Sequence, residues 1–515
     1  MPIRPFRPRV LVALLSFLLL ALPACNRSSG PGSTATSGGA ATAADATEAA
    51  LREAFVLTAS GKTSEAAAAF DRAIASEGFA QIPEAHRYTS LQMAGETHEA
   101  LHDPAKAHAL FVRSSESSEA ESRAWNFRLR SADETGDSAD GMHCMTVIAQ
   151  HWPGDLEQVP GQMIWRIQTS LGEGAEADAL RFDLFDALYK AHWKDKEMNP
   201  SPAWRELARI LLVRADLARA RQVAASVDDT RVALSMRVDK RFDAITKDNP
   251  AFDIDRLAAA NLDKARAEAA RDPESLFART RLISSLMDLT RYDEALRVAD
   301  DTIAMTANGS GPKRFRDFNE HYNWILNGRE RALFRLGRVD EAVSELERAA
   351  RAPEYGGVNV SQAINLAELY IELGRANDAL ATVAKVGDRI SPFGRMQMEF
   401  VKLWAAVQLH DAKAVDQHMD YLRAHRADSK ETWADALALD GKDDEAAGEL
   451  IDQLRSEYWR SKALEDLQYY AEIRRLPREA TLIEQWRRIE ARADVREAIA
   501  KVGRVETFRI DPSPF

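Results

Sequence analysis

A short phrase recurs along this chain of 515 residues. It is clearest as LGRVDEA at residues 336–342 and as LGRANDA at residues 373–379, which begin 37 residues apart. In both, a Gly is followed five positions later by an Ala, so one helix can end and turn and the next can pack closely against it. A repeat of this length constrains the fold strongly, because each unit must bury its apolar face on its neighbours.

The same pattern, a Gly or other turn residue with a small residue five positions later, extends through most of the sequence. The pairs that fit it are Gly61/Ala66, His102/Ala107, Gly136/Gly141, Gly172/Ala177, Ala215/Ala220, Thr290/Ala295, Gly337/Ala342, Gly374/Ala379, His410/Val415 and Gly441/Ala446. One interval of 75 residues leaves room for a degenerate unit at residues 245–275. The pattern predicts an all-α fold, a solenoid of about ten or eleven antiparallel helical hairpins.

The phrase and its period resemble the tetratricopeptide repeat (TPR) family over roughly residues 47–455. Gly95 also matches the small residue that this family places in the first helix of a unit, seven positions before the turn at His102. The resemblance implies a concave groove, lined by the first helix of each unit, that binds an extended or helical peptide rather than a substrate. Another α-solenoid family is the alternative, because periodicity alone does not separate such families.

Residues 1–24 have the pattern of an export signal. Three Arg residues precede an apolar run, Val10–Leu22. This run is too short to span a bilayer, which requires about 20 residues. The following Leu22-Pro23-Ala24-Cys25 resembles the lipobox of bacterial lipoproteins, which implies cleavage before Cys25 and its acylation. Asn26 resembles the residue found in lipoproteins that Gram-negative cells sort to the outer membrane. An ordinary signal peptide with a chance Cys is the alternative.

Composition divides the remaining chain into three parts. Residues 25–46 are a tether rich in Gly, Ser, Ala and Thr, residues 47–455 are the helical repeat array, and residues 456–515 are a helical cap and tail. Within the cap we expect helices at Ser456–Arg474, at Arg478–Ala491 and from the capping box at Asp494 to about Val502, with Phe508 and Ile510 lying on the cap.

Charge and cysteine content narrow the function further. The 80 acidic residues exceed the 68 basic ones, a net charge of −12 that argues against nucleic-acid binding. With Cys25 acylated, Cys144 is left alone, so no internal disulfide forms and we expect a buried, inert thiol. The sequence contains no nucleotide-binding or serine-hydrolase motif, and we expect no cofactor.

A basic and aromatic cluster interrupts the regular period between Thr290 and Gly337. It follows a Gly-rich turn and carries a local positive charge in an acidic protein, which suits an acidic peptide or a phosphate-bearing glycan. The candidate binding residues are Lys313, Arg314, Phe315, Arg316, Tyr322 and Trp324. A solvated loop followed by core aromatic residues is the alternative.

The sequence HEALH at residues 98–102 belongs to another class of function. On a continuous helix His98 and His102 would share a zinc ion, with Glu99 as general base. Glu121, after eighteen intervening residues, stands at the spacing of the third ligand in the gluzincin peptidases, so a zinc-dependent peptidase is the alternative function. The motif also fits the repeat register, with His102 at a turn, and this favours a packing role.

Together these features predict a non-enzymatic, exported lipoprotein. Its lipid at Cys25 would hold it to a membrane of the cell envelope, at the periplasmic face of the outer membrane. Its repeat array would bind a protein or peptide partner there, as an adaptor or assembly factor.

Overall fold

The computed structural model describes residues 42–195, 198–351, 358–387 and 390–511. Within these ranges the regular elements are helices, and strand-like pairing is limited to two isolated bridges, Asp239 with Gly503 and Tyr469 with Thr507. None of the helices in these ranges has both the length and the apolar content needed to cross a membrane. The predicted signal segment and Cys25 lie outside the described residues.

The chain separates into two compact units, residues 1–198 and residues 199–515. The described part of unit 1 is built from antiparallel hairpins of α-helices. Their members are α1 (Ala43–Ala59) with α2 (Thr63–Ile74), α3 (Glu84–Ala100) with α4 (Pro104–Ser115), α5 (Ser122–Thr135) with α6 (Ser138–His151), and α7 (Gly161–Ser170) with α8 (Ala175–Lys190). A capping box between Thr42 and Asp45 starts α1 four residues before the predicted beginning of the array.

Unit 2 continues the same construction. Its hairpins are α9 (Ser201–Val213) with α10 (Leu217–Ala224), α14 (Leu276–Asp288) with α15 (Tyr292–Ala304), α17 (Phe318–Arg335) with α18 (Val339–Arg351), α19 (Val360–Glu372) with α20 (Ala376–Val383), α21 (Pro392–Leu409) with α22 (Ala412–Ala424), and α23 (Lys430–Leu439) with α24 (Asp443–Arg455). The degenerate unit consists of α11 (Thr230–Val238), the single turn α12 (Asp243–Thr246) and α13 (Ile254–Arg271). A further single turn, α16 (Gly311–Arg314), precedes α17.

The turns confirm the predicted hairpins. All ten predicted turn residues have left-handed backbone conformations, with φ between 57° and 83°. Six of them are Gly, which adopts this conformation without steric cost, while His102, Ala215, Thr290 and His410 accept it with a side chain. The small residue five positions later is buried in nine of the ten pairs, and Val415 in the tenth is half-buried. Small residues therefore bring the two helices of each hairpin into close contact.

Gly95 shows why a small residue is needed inside a first helix. A Cβ atom built on Gly95 would overlap the ring of Phe111, which lies on α4 of the same hairpin. The Phe111 ring is fully buried and occupies the volume that the missing side chain leaves. Helices α3 and α4 can approach each other this closely only because residue 95 has no Cβ.

The C-terminal cap differs in part from the prediction. Of the helix expected at Ser456–Arg474, only α25 (Arg460–Asp466) forms, and the following helices are α26 (Pro477–Glu490) and α27 (Ala493–Val502). Residues 469–471 are extended because they pair with the chain end: Tyr469 donates to the Glu506 carbonyl and accepts from the Phe508 amide. Phe508 and Ile510 are buried, as expected.

Candidate functional site

The HEALH segment does not have the geometry of a zinc peptidase. Helix α3 ends at Ala100, and His102 lies beyond it in a left-handed conformation with φ of 58°, so the two imidazoles do not share a helix face. His98 is buried, and its Nε2 atom lies 3.2 Å from Oδ1 of Asp71 on α2. His98 therefore joins two neighbouring hairpins, which is the packing role that the repeat register favoured.

Of the other two residues of that alternative, Glu99 joins two hairpins and Glu121 stands at the start of a helix. Glu99 accepts hydrogen bonds from Arg130 at 2.9 and 3.1 Å, and Glu121 is the residue that precedes α5. Within the described ranges no three His, Cys, Asp or Glu side chains come together as a metal-binding group. The zinc interpretation is wrong in its geometry because the turn of the repeat interrupts the helix on which the motif depends.

The basic and aromatic cluster separates into buried and exposed members. Phe315 belongs to the core and is 1% exposed, so the prediction of a binding role is wrong for this residue. Arg316 forms a two-point ion pair with Asp272, and its hydrogen bonds lower the pKa of that carboxyl. Lys313 and Arg314 are exposed.

The two distal aromatic residues of this cluster also contribute to packing. Tyr322 stacks on Phe318 with ring centres 4.6 Å apart, and Trp324 is half-buried. The cationic residues Lys313, Arg314 and Arg316 are thus the exposed part of the predicted binding site, and Arg316 is already paired with Asp272.

In unit 1, ion pairs connect the first helices of successive hairpins. Glu96 and Glu99 on α3 bind Arg123 and Arg130 on α5 at 3.1 and 2.9 Å. One step further along, Asp133 on α5 binds Arg166 on α7 at 3.0 Å. These residues and Phe127 form what we call the first-helix surface of unit 1: Glu96, Glu99, Arg123, Phe127, Arg130, Asp133 and Arg166.

The first-helix surface combines partial burial with charge. The guanidinium groups of Arg123 and Arg130 lie near the Phe127 ring, at 5.1 and 4.8 Å from its centre. Burial raises the pKa of Glu96 and Glu99, although their Arg partners act in the opposite direction. The Nε atom of Arg130 is buried and finds no acceptor among the described residues. The surface therefore carries polar groups that water satisfies incompletely.

Cys144 is an inert thiol, as the sequence predicts. Its side chain is fully buried on α6, and burial together with the nearby Asp140 raises the pKa of the thiol. The adjacent His143 is exposed. The thiolate that nucleophilic chemistry requires is therefore strongly disfavoured at this position.

In unit 2, the end of the chain binds to the repeat array. We call residues 503–511 the strap. Its last residue, Asp511, is buried, and its Oδ2 atom accepts hydrogen bonds from Tyr292 Oη at 2.9 Å and from Arg335 Nε at 3.2 Å. Arg231 donates to the main-chain oxygen of Asp511 at 2.7 Å, and the amide of Asp511 donates to the carbonyl of Asp288 at 2.9 Å.

Two Arg residues that precede the strap in sequence lie against the hairpin turns. A Cβ atom on Gly337 would stand 2.8 Å from Cζ of Arg474, and one on Gly374 would stand 3.1 Å from Nε of Arg478. Arg474 and Arg478 are four residues apart, while the two turns are one repeat apart. Residues 474–478, which we call the C-terminal segment, thus contact two successive turns of the array.

A cavity of about 560 Å³ lies between the C-terminal cap and the last hairpin, α23 with α24. Its lining includes Asp435, which accepts a hydrogen bond from Nε1 of Trp486 at 2.7 Å. Burial raises the pKa of Asp435 to about 7, and the nearby Glu431 acts in the same direction. The cavity therefore has a carboxyl group that titrates near neutral pH.

Sequence reasoning missed two of these sites. The ion pairs of unit 1 join residues separated by 27 to 33 positions, close to the repeat length, so aligning the repeats would have revealed them. The binding of Asp511 joins residues more than 170 positions apart and has no counterpart in any periodic pattern.

No protein-family model and no curated protein matches the sequence. Three solved structures of TPR-repeat proteins are similar. The APC/C hetero-tetramer Cut9-Hcn1 is 13% identical over 88% of this chain and 89% of that chain, with a TM-score of 0.27. The yeast Tom70 is 11% identical over 88% of this chain and 99% of that chain, with a TM-score of 0.29. A Rap protein complexed with Competence and Sporulation Factor is 12% identical over 81% of this chain and 99% of that chain, with a TM-score of 0.30. At these values they carry no argument about this chain. Its own turns and hairpins establish a TPR-like helical repeat fold.

Proposed function

We propose that this protein is an exported, lipid-anchored scaffold of the cell envelope that binds a protein partner through the first-helix surface of unit 1. The observation that carries the proposal is the row of partly buried Arg and Glu side chains around Phe127. Arg and aromatic residues dominate the binding energy of protein interfaces, because they combine apolar area with directed hydrogen bonds. Burying this row under a partner would strengthen interactions that water now weakens.

The charge of unit 1 indicates the kind of partner. Residues 42–198 contain 26 Asp and Glu against 14 Lys and Arg, a net charge of −12, whereas residues 199–515 contain 54 against 50. An acidic unit attracts a partner with a basic surface and accelerates the encounter, in a way that salt screens. We therefore propose a basic protein segment as the ligand of unit 1.

The envelope location in this proposal is supported by the sequence at Cys25. A lipid at this position, followed by a tether of roughly 20 residues, would keep the array attached to the membrane while letting it reach a partner. Labelling with a radioactive fatty acid tests this part, because the natural protein should incorporate label and its Cys25→Ser variant should not. Labelling of the Cys25→Ser variant would contradict the anchor.

Partner binding is tested by crosslinked co-purification of the full-length protein from native membranes, followed by mass spectrometry. The test variant is Glu99→Arg, and the matched control is Glu65→Arg, which reverses an exposed charge of the same sign on the second helix α2. We expect one stoichiometric partner with the natural protein and the control, and at least tenfold less with Glu99→Arg, because the added positive charge repels a basic ligand. Equal recovery with all three proteins would contradict the proposed surface.

A further inference from the structure

The strap has the form of a bound peptide. It is non-helical, with a bend at residues 509–510, and its side chains alternate up to that bend, because Val505, Thr507 and Arg509 are exposed whereas Phe508 and Ile510 are buried. Its amides and carbonyls pair with residues 469–471 and with the carbonyl of Asp288. Extended peptides bind to protein surfaces in this way, with main-chain hydrogen bonds and alternate side chains in pockets.

The array holds Asp511 of the strap in a site made from three helices. Arg231 comes from α11, Tyr292 from α15 and Arg335 from α17. The side chains of Asp511 and Arg335 are only 2% and 6% exposed. A carboxylate buried to this extent is stable only with charged and hydrogen-bonded partners, and the buried guanidinium group of Arg335 likewise requires a negatively charged partner.

We propose that the strap is a displaceable internal ligand, and that the site formed by Arg231, Tyr292 and Arg335 binds an acidic residue of an extended peptide when the strap leaves. Tyr292 and Arg335 would bind its carboxylate, and Arg231 would bind its main-chain oxygen. Charge complementarity identifies the occupant, since two guanidinium groups and one phenol converge on a single carboxylate-bearing residue. The strap follows the last helix, α27, so its release breaks no helix. The site lies in unit 2 and does not depend on the partner proposed for unit 1.

The test uses the full-length chain and a fluorescent peptide with the sequence of residues 504–515 as the probe. Asp511→Asn removes the charge that holds the strap and keeps its shape. Arg509→Gln is the matched control, because it neutralises an exposed residue of the same strap. By fluorescence anisotropy we expect the Asp511→Asn protein to bind the probe at least tenfold more tightly than the natural protein, with the control unchanged.

A second probe, in which Asn replaces the residue corresponding to Asp511, tests the chemistry of the site. We expect it to bind the Asp511→Asn protein at least tenfold more weakly than the first probe. Equal binding of the two probes, or no binding of either to folded protein, would overturn the proposal. Circular dichroism establishes that the variant is folded.

If Asp511→Asn fails to fold, Glu506→Gln provides the milder change, because it weakens one ion pair of the strap, with Arg237 at 2.8 Å, and leaves the site for the probe intact. We expect severalfold tighter probe binding and faster hydrogen exchange at the amides of Phe508 and Asp511. Exchange that is unchanged at these amides, with no gain in probe binding, would show that the strap is a fixed part of the core.

Discussion

Substituting two Gly residues by Ala measures how much the contact between the C-terminal segment and the repeat turns affects stability. Gly337 and Gly441 occupy equivalent turns, with φ of 83° and 73°. A Cβ atom on Gly337 would stand 2.8 Å from Cζ of Arg474, whereas one on Gly441 would have nothing within 4 Å. Substitution by Ala therefore introduces the same backbone strain at both positions, and a collision with the C-terminal segment at one of them.

The two costs can be separated in magnitude. Ala in a left-handed turn destabilises by about 1 kcal/mol, which we expect for Gly441→Ala. At Gly337 the guanidinium group of Arg474 must also move aside, which forces this exposed side chain away from the turn. A side chain held off its preferred rotamer costs about 1 kcal/mol, so we expect Gly337→Ala to cost about 2 kcal/mol.

The assay is urea unfolding of the full-length variants, followed by circular dichroism. A double-mutant cycle with Arg474→Ala isolates the collision, because the cost of Gly337→Ala should fall to about 1 kcal/mol once the Arg474 side chain is absent. The reasoning is refuted if Gly337→Ala and Gly441→Ala cost the same, or if Arg474→Ala leaves the cost of Gly337→Ala unchanged.

Three further changes test other parts of the structure. Gly95→Ala should destabilise unit 1 by about 1–3 kcal/mol in urea unfolding, because its Cβ would overlap the Phe111 ring; a neutral effect would contradict this contact. In a Cys25→Ser chain, Cys144 should resist alkylation at pH 8 until urea unfolds unit 1, since burial raises the pKa of its thiol; rapid labelling of folded protein would contradict its burial. Asp435 has a folded-state pKa of about 7, above the ordinary 3.8, so its contribution to stability should fall as pH rises from about 4 to about 7. Asp435→Asn should remove this slope, by at most about 4 kcal/mol across the range, and a slope identical to that of the natural protein would contradict the raised pKa.

The repeat fold could be predicted because its determinants are local. A turn residue and a small residue five positions later act within one hairpin, so ten repetitions of the pair are visible without any knowledge of tertiary contacts. The same register explains why HEALH does not form a zinc-binding helix, because a turn at His102 excludes a continuous helix through both His residues. Local patterns that agree with the global fold are informative for this reason.

The candidate sites were harder to predict, because they depend on long-range contacts. Phe315 stands in a polar sequence neighbourhood, yet the helices around it bury it in the core. Residues 469–471 are extended rather than helical because the strap pairs with them, and the strap itself is held by Arg231, which precedes it by 280 positions. Nothing in the local sequence marks either end of such a contact.

The most direct test of the central claim is photo-crosslinking from two positions in unit 1 of the full-length protein in its native membrane. One photoreactive residue replaces Phe127, at the centre of the first-helix surface, and the other replaces Ala139, which is exposed on the second helix α6. We expect a single partner to crosslink from position 127 and not from position 139, and this product to disappear when Glu99→Arg is added. Crosslinking from both positions alike, or a product that survives Glu99→Arg, would contradict partner binding through the first-helix surface.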